Sequence, residues 1–258
     1  MTEERTLLEV TDLEKRFGGL TAINRVCFSV RAGQIKAVIG PNGAGKTTLF
    51  NVLTGVLPSD GGSIRFRGVD ITGAKPHVIA SRGMARTFQV IKIFKEMTVL
   101  ENVMAGCYLR SRTGFMAASL RLPRVWREER KIEEKSLRLL EDVGLAARAG
   151  EPAASLPLGL QRMLEIGRAL AAEPALILLD EPVAGLSGPE TRKLAALIGR
   201  VRDSGVTVLL VEHDMSLIMD ISDEVLVLDY GRKIGEGSPA AVQNDEKVIS
   251  AYLGEETL

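Results

Sequence analysis

Gly40-Pro41-Asn42-Gly43-Ala44-Gly45-Lys46-Thr47 has the spacing G-x-x-x-x-G-K-[ST] and follows an apolar run, Ile35–Ile39. Glycines at these positions let backbone N–H groups curl around phosphate oxygens with no side chain intervening. Lys46 would reach the β- and γ-phosphates, and the Thr47 hydroxyl would take Mg²⁺. A helix starting near Lys46 and carrying Thr48 in its first turn would aim its positive end at the anion. A bare glycine-rich turn has no need of a strand before it and a helix after it; this one has both. The motif predicts binding of a nucleoside triphosphate.

A second constellation is Leu176-Ile-Leu-Leu-Asp-Glu-Pro182, an apolar strand that ends in two adjacent carboxylates. Neighbouring residues at a strand end point in different directions, so the two acids suit different tasks. Asp180 is expected to hold the Mg²⁺ shell, and Glu181 to orient and polarise a water for in-line attack on the γ-phosphorus. With the glycine loop alone a kinase or a GTPase stays open; a Glu directly after the Asp favours hydrolysis over transfer to a substrate hydroxyl.

These residues need a scaffold, and the sequence suggests one. Short β-rich runs recur at Val26–Val30, Ile35–Ile39, Ser63–Phe66, Met84–Phe88, Leu176–Leu179, Val206–Val211 and Val225–Leu228, with helical patterns such as Lys46–Thr54 and Glu190–Ser204 between several of them. Near-continuous apolar strands fit a parallel sheet covered on both faces, so the expected class is α/β. From about Lys92 to Leu170 the pattern is mostly helical and rich in Arg, Leu and Glu, as in a helical subdomain inserted into the sheet-based core. Ligands of open α/β sheets sit at the carboxyl ends of strands. Lys46, Gln89, Asp180, Glu181 and His213 are therefore expected on one edge of one sheet, around one phosphate tail.

The bulk properties narrow the field. The 258 residues balance 33 basic against 33 acidic side chains, which implies no general attraction to nucleic acid or anionic lipid. Cys27 and Cys107 have no metal-like spacing and read as packing residues. The polar N-terminus does not read as a signal peptide, and no apolar stretch approaches the ~20 residues that span a bilayer. If the protein works at a membrane, a partner must hold it there.

Taken in order, these motifs resemble the nucleotide-binding subunits of ABC transporters, essentially end to end. The resemblance implies a P-loop NTPase domain over 1–258, with a mixed or parallel sheet core and a helical subdomain at roughly 92–170. It implies ATP and Mg²⁺ as cofactors. Phe17 falls where the family places an aromatic on adenine, with core packing as the competing role. Gln89, in Arg-Thr-Phe-Gln, matches the glutamine that senses Mg²⁺ and the γ-phosphate. His213, in Val-Glu-His-Asp, matches the histidine that contacts the γ-phosphate, whereas His77 has no such context. The family signature, usually Leu-Ser-Gly-Gly-Gln, is degenerate. Leu156 and Gly159 keep their types, Pro157 stands in place of the serine, Leu160 replaces the glutamine, and Gln161 follows. A proline offers neither hydroxyl nor N–H to the γ-phosphate of an opposite subunit. Ser187 stands where an aspartate is commonest, at the subunit-facing loop.

Further stretches are similar to the LivG-type ATPases of branched-chain amino acid importers. They are Arg16–Leu20, Arg86–Val90 with Phe94–Asn102, Glu181–Leu186 and Ile249–Gly254. Urea/amide-import and lipid- or lipopolysaccharide-export ATPases resemble them too. The resemblance implies two transmembrane permease subunits, a second ATP-binding subunit (a paralogue or this chain itself) and, indirectly, an extracytoplasmic solute-binding protein. It implies no nucleic acid, and a peripheral position on the cytoplasmic face of the inner membrane. A soluble ABC protein of repair or translation would carry fused nucleotide units or a long coiled-coil insertion. The arginines at 110, 112, 121, 124, 127 and 130, around Trp126, read either as a headgroup or permease contact or as a solvated face interleaved with Glu128, Glu129, Glu133 and Glu134. Ile91, Ile93, Phe94 and Met97 are candidates for a permease groove, with subdomain core as the alternative.

Overall fold

The computed structural model describes residues 5–108 and 123–253. Expectations that fall on Arg110, Arg112, Arg121, the Arg124 side chain and Gly254 lie outside the described residues. The chain forms two compact units. One takes in Met1–Arg86, Ala175–Pro182 and Ile198–Leu258, the other Thr87–Pro174 and Val183–Leu197.

The first unit holds two sheets. Strands β3 (Ile35–Ile39), β7 (Leu176–Asp180) and β8 (Thr207–Val211) are buried at every residue, as near-continuous apolar strands require. With β6 (Met84–Arg86), β9 (Glu224–Asp229) and β10 (Arg232–Gly237) they form a sheet of order β10-β9-β3-β8-β7-β6. All neighbours are parallel except the edge pair β9–β10. The other sheet is antiparallel, of order β2-β1-β4-β5, from β1 (Thr6–Phe17), β2 (Leu20–Arg31), β4 (Gly61–Phe66) and β5 (Val69–Asp70). In β1, Leu8 and Val10 face inward, and an irregularity at Asp12, at a φ of 47°, returns Leu13 and Lys15 to the same buried side.

Helix α1 (Lys46–Leu53) lies in the core between the sheets. Its Leu49, Phe50 and Leu53 are fully buried in one cluster with Leu8, Leu13 and Ile64 of the antiparallel sheet and Val38, Leu178 and Leu209 of the parallel sheet. Each such side chain contributes about 1.5–3 kcal/mol by leaving water. That packing fixes where α1 begins. The opposite face of the parallel sheet, at Ala37, Ile39, Val225 and Val227, is covered by Ile218, Val242 and Val248.

Helix α2 (Pro76–Ser81) carries an exposed His77. The second unit contains α3 (Val99–Cys107), α4 (Pro123–Asp142), α5 (Leu158–Ala171) and the start of α6 (Gly188–Asp203). Val99, Val103 and Cys107 recur every four residues on α3 and are buried, as are Leu140 on α4 and Leu164 on α5. Thr98 and Glu101 close a capping box at the start of α3. On α4, Trp126, Arg127 and Arg130 are exposed beside Glu129, Glu133 and Glu134. The remaining helices, α7 (Met215–Ile221), α8 (Pro239–Gln243) and α9 (Glu246–Leu253), belong to the first unit. Among the described residues no helix is long and apolar enough to cross a membrane.

One expectation needs correcting. Strand β6 stops at Arg86, so Gln89 does not close that strand; it belongs to the second unit. Beyond Arg86 the backbone is bonded by side chains of α5 rather than by a neighbouring strand.

Candidate functional site

Register decides the geometry of the first unit. Val38 lies opposite Val211, and Asp180 opposite the same Val211, so β3, β8 and β7 end side by side. The glycine loop, the acidic pair and His213 therefore leave the sheet at one edge.

The loop's glycines are dictated by close approach. At Gly40 the φ is +149°, and a Cβ there would stand 2.0 Å from the Leu228 carbonyl oxygen. At Gly45 the φ is +102°, and a Cβ would stand 2.5 Å from the Ala22 carbonyl oxygen. Any side chain at either position pushes the loop off its supports. The turn after β9 supports the loop as well, through a bond from the Gly231 N–H to the Ala44 carbonyl of 3.0 Å. Lys46 is buried, and its ammonium donates to the carbonyl oxygens of Gly40 and, at 2.8 Å, Pro41. Asn42, Gly43 and Thr47 are exposed, Gly45 and Thr48 half-buried, and Pro41 and Ala44 buried. No side chain caps α1, so the N–H groups of its first turn face the loop's mouth as an anion site.

Asp180 is 2% exposed, and its carboxylate accepts a 2.8 Å bond from Arg86. The same guanidinium donates to Asn51 at 2.7 Å and Thr54 at 3.2 Å, and lies 5.6 Å from the centre of the Phe50 ring. Glu181 adopts a φ of 48°, which a non-glycine residue reaches at a cost of order 1–3 kcal/mol. Its N–H is tied to the Val211 carbonyl at 2.9 Å. That kink swings its carboxylate away from Asp180 to lie 2.9 Å from Nε2 of His213. Asp214 follows as the cap of α7, accepting from the Leu217 N–H at 3.1 Å. One strand end thus presents a buried acid held by a cation and a second acid held by an imidazole.

Phe17 closes β1, is 46% exposed, and has the Lys15 ammonium 5.5 Å from its ring centre; it is not a core residue.

In the second unit Gln89 is exposed, Leu156 and Gly159 are buried, and Gln161 turns back to donate to the Leu156 carbonyl at 2.8 Å. Pro157 is the cap residue of α5 and provides no side-chain bond to it. A Cβ on Gly159 would stand 2.9 Å from the carboxylate of Glu190. That carboxylate accepts from both the N–H and the hydroxyl of Ser187, at 2.9 and 2.6 Å. These two bonds hold the Glu190 carboxyl below its usual range. Glu190 thus reaches back from the first turn of α6 to the residue before it. Of the groove candidates, Ile93 is buried, while Phe94 and Met97 are exposed, with Phe94 under the Arg168 guanidinium at 5.2 Å.

Sequence reasoning overlooked Arg86 as the partner of Asp180, and it noted Arg162 and Glu165 only as part of the stretch after the signature, with no role. Arg162 and Glu165 stand among apolar residues of a helix at spacing i, i+3, a pattern that flags a buried ion pair.

A family model described as ABC transporter matches residues 23–184, more than half of the chain. The chain belongs to the ABC transporter family. A second model, described as branched-chain amino acid ATP-binding cassette transporter, matches residues 232–257. The high-affinity branched-chain amino acid transport ATP-binding protein BraF of Pseudomonas aeruginosa is 45% identical over 97% of this chain and 99% of its own length. The LivG protein of Salmonella typhimurium, with the same functional description, is 42% identical over 96% of this chain and 98% of its own. Among solved structures, the ADP conformation of an ATP-binding cassette of an ABC transporter matches with a TM-score of 0.84 at 32% identity, over 97% and 99% of the two chains. As a member of this family the chain binds and hydrolyses ATP, and it works with membrane permease partners.

Proposed function

We propose that this ABC ATPase drives an importer of branched-chain amino acids. The observation that carries the reading is similarity over nearly the whole chain to BraF, together with the match of segment 232–257 to the branched-chain amino acid transporter model. As one domain with a helical subdomain near 92–170, it would sit on the cytoplasmic face of the inner membrane. Its partners would be two permease subunits and a second ATP-binding subunit, with an extracytoplasmic solute-binding protein beyond them.

In this reading the amides of Gly40–Thr48 and the Lys46 ammonium hold the β- and γ-phosphates, and Phe17 stacks on the base. Bonded to loop carbonyls, Lys46 is already aimed along the loop. Glu181 polarises the attacking water. His213, 2.9 Å from it, fixes the direction of that carboxylate and reaches the γ-phosphate. A divalent cation fits the donors available. Among the described residues no three acidic, His or Cys side chains converge as a metal site. Mg²⁺ instead favours one or two protein oxygens together with nucleotide phosphates. Asp180 and the Thr47 hydroxyl would be those oxygens, and the family resemblance would add Gln89. When bound, Mg²⁺ would neutralise charge developing on the phosphates. Leu156, Gly159 and Gln161 would close over a second subunit's nucleotide.

Affinity purification of the tagged chain from gently solubilised membranes, with mass spectrometry of what accompanies it, tests the assembly. Two permeases and a second ATPase are the expected companions. A homodimer with a lipid-export permease, or no membrane protein at all, would overturn the importer reading.

A further inference from the structure

The segment that follows β6 has no regular structure from Thr87 to Met97 apart from turns, so its backbone polar groups need other partners. Two buried charged side chains of α5, one turn apart, supply them. Arg162 donates through Nη1 to the Phe88 carbonyl at 3.0 Å and through Nη2 to the Gln89 carbonyl at 2.8 Å. Glu165 accepts from the Lys92 N–H at 3.1 Å and from the Phe88 N–H. The two side chains are 6% and 3% exposed and lie 3.7 Å apart. Asn102, fully buried on α3, continues the clamp. It accepts from the Phe94 N–H at 2.8 Å and donates to the carbonyls of Phe94 and Thr98, both at 2.9 Å.

We infer that Arg162 and Glu165 are positioning residues: they fix the backbone of Gln89 to the signature helix, so that the glutamine and the signature move as one body. Three features favour this over simple packing. An apolar pair would fill the same volume without the desolvation of two charges. The planar guanidinium spans two successive carbonyls, a geometry that locks the peptide between them against rotation. And the residue so gripped is Gln89, whose side chain is left exposed at the surface of this unit. The inference rests on the reading of Gln89 as a residue that acts at the γ-phosphate. A residue that only positions should alter turnover rather than nucleotide affinity.

The test is a double-mutant cycle on the full chain, with ATP turnover and ATP affinity read for R162A, Q89A and the double variant. Alone, R162A should lower kcat about 10-fold with KM for ATP within about two-fold, and in the Q89A background it should change kcat by less than about two-fold. R162K, which keeps the charge but cannot span two carbonyls, should recover only part of the loss. Hydrogen exchange gives a readout independent of activity: in E165L, which removes the acceptor and keeps an apolar side chain, the Lys92 amide should exchange faster while the amides of β3 and β8 keep their rates. Multiplicative losses in the double variant, or unchanged exchange at Lys92 in E165L, would overturn the positioning role and leave the reading of Gln89 standing. Full turnover in Q89A alone would overturn that reading itself, and the positioning role with it. If R162A fails to fold, the R162K and E165L measurements decide between the same outcomes.

Discussion

Glu181 is the residue on which the chemistry turns, and its kinked backbone separates it from the acid beside it. Changing it to Gln keeps shape and removes the base. Turnover should fall by about 10²–10⁴-fold with ATP binding retained, measured by phosphate release and by nucleotide titration. Loss of binding along with turnover would mean that Glu181 holds the loop rather than the water. Pro157 gives a prediction of opposite sign. As the cap of α5 it makes no capping bond, and Ser there would restore both a hydroxyl for a facing phosphate and a helix cap. P157S should raise ATP turnover and stabilise the chain by about 0.5–2 kcal/mol, read by chemical denaturation. Unchanged or reduced turnover would refute the idea that this signature is weakened.

Elements carry the site through register and close approach, and here the sequence is only partly legible. The parallel strands announced themselves because apolar runs buried on both faces leave an unbroken signal; β1 did not, because its irregularity at Asp12 breaks the alternation. The glycine loop and the acidic pair are legible because their chemistry demands particular residue types at fixed spacing. The contact between His213 and Glu181 is not, since it depends on which strands are neighbours. Nor is the bond from Arg86 to Asp180, made from an edge strand nearly a hundred residues away. Strand β3 supplies a pH prediction. Lys36 is fully buried on it and bonds to Glu224 at 3.1 Å, to Glu236, and to the Ser29 carbonyl at 2.7 Å. Burial pushes the Glu236 carboxyl up, but the hydrogen bonds from Lys233 and Lys36 outweigh it and hold the group below its ordinary 4.5. A depressed carboxylate contributes stability that is present above that ordinary value and is lost as pH falls through the lower folded one. Denaturation midpoints should therefore drop below about pH 4.5 in the wild type, and less steeply in E236Q, which lacks the titrating group. Equal slopes in the two proteins would remove Glu236 from the acid limb. Gly40→Ala tests the loop: its methyl meets the Leu228 carbonyl, so ATP binding should be lost, and retained affinity would show that the loop has another seat.

For the whole molecule the claim is that ATP turnover at this edge powers solute uptake through partners in the membrane. Phe94 tests the link between them. It is exposed on the segment that carries Gln89, and F94A should leave ATPase nearly intact while uptake falls; equal loss of folding and ATPase would show that it supports the fold rather than the link. The most direct measurement of the central claim is uptake of radiolabelled leucine, isoleucine and valine by cells lacking the gene, complemented with wild-type chain or with Glu181→Gln. Uptake restored by the wild type and absent with Glu181→Gln is the expected result. Uptake that never depended on the gene, or that the variant restores fully, would contradict the account.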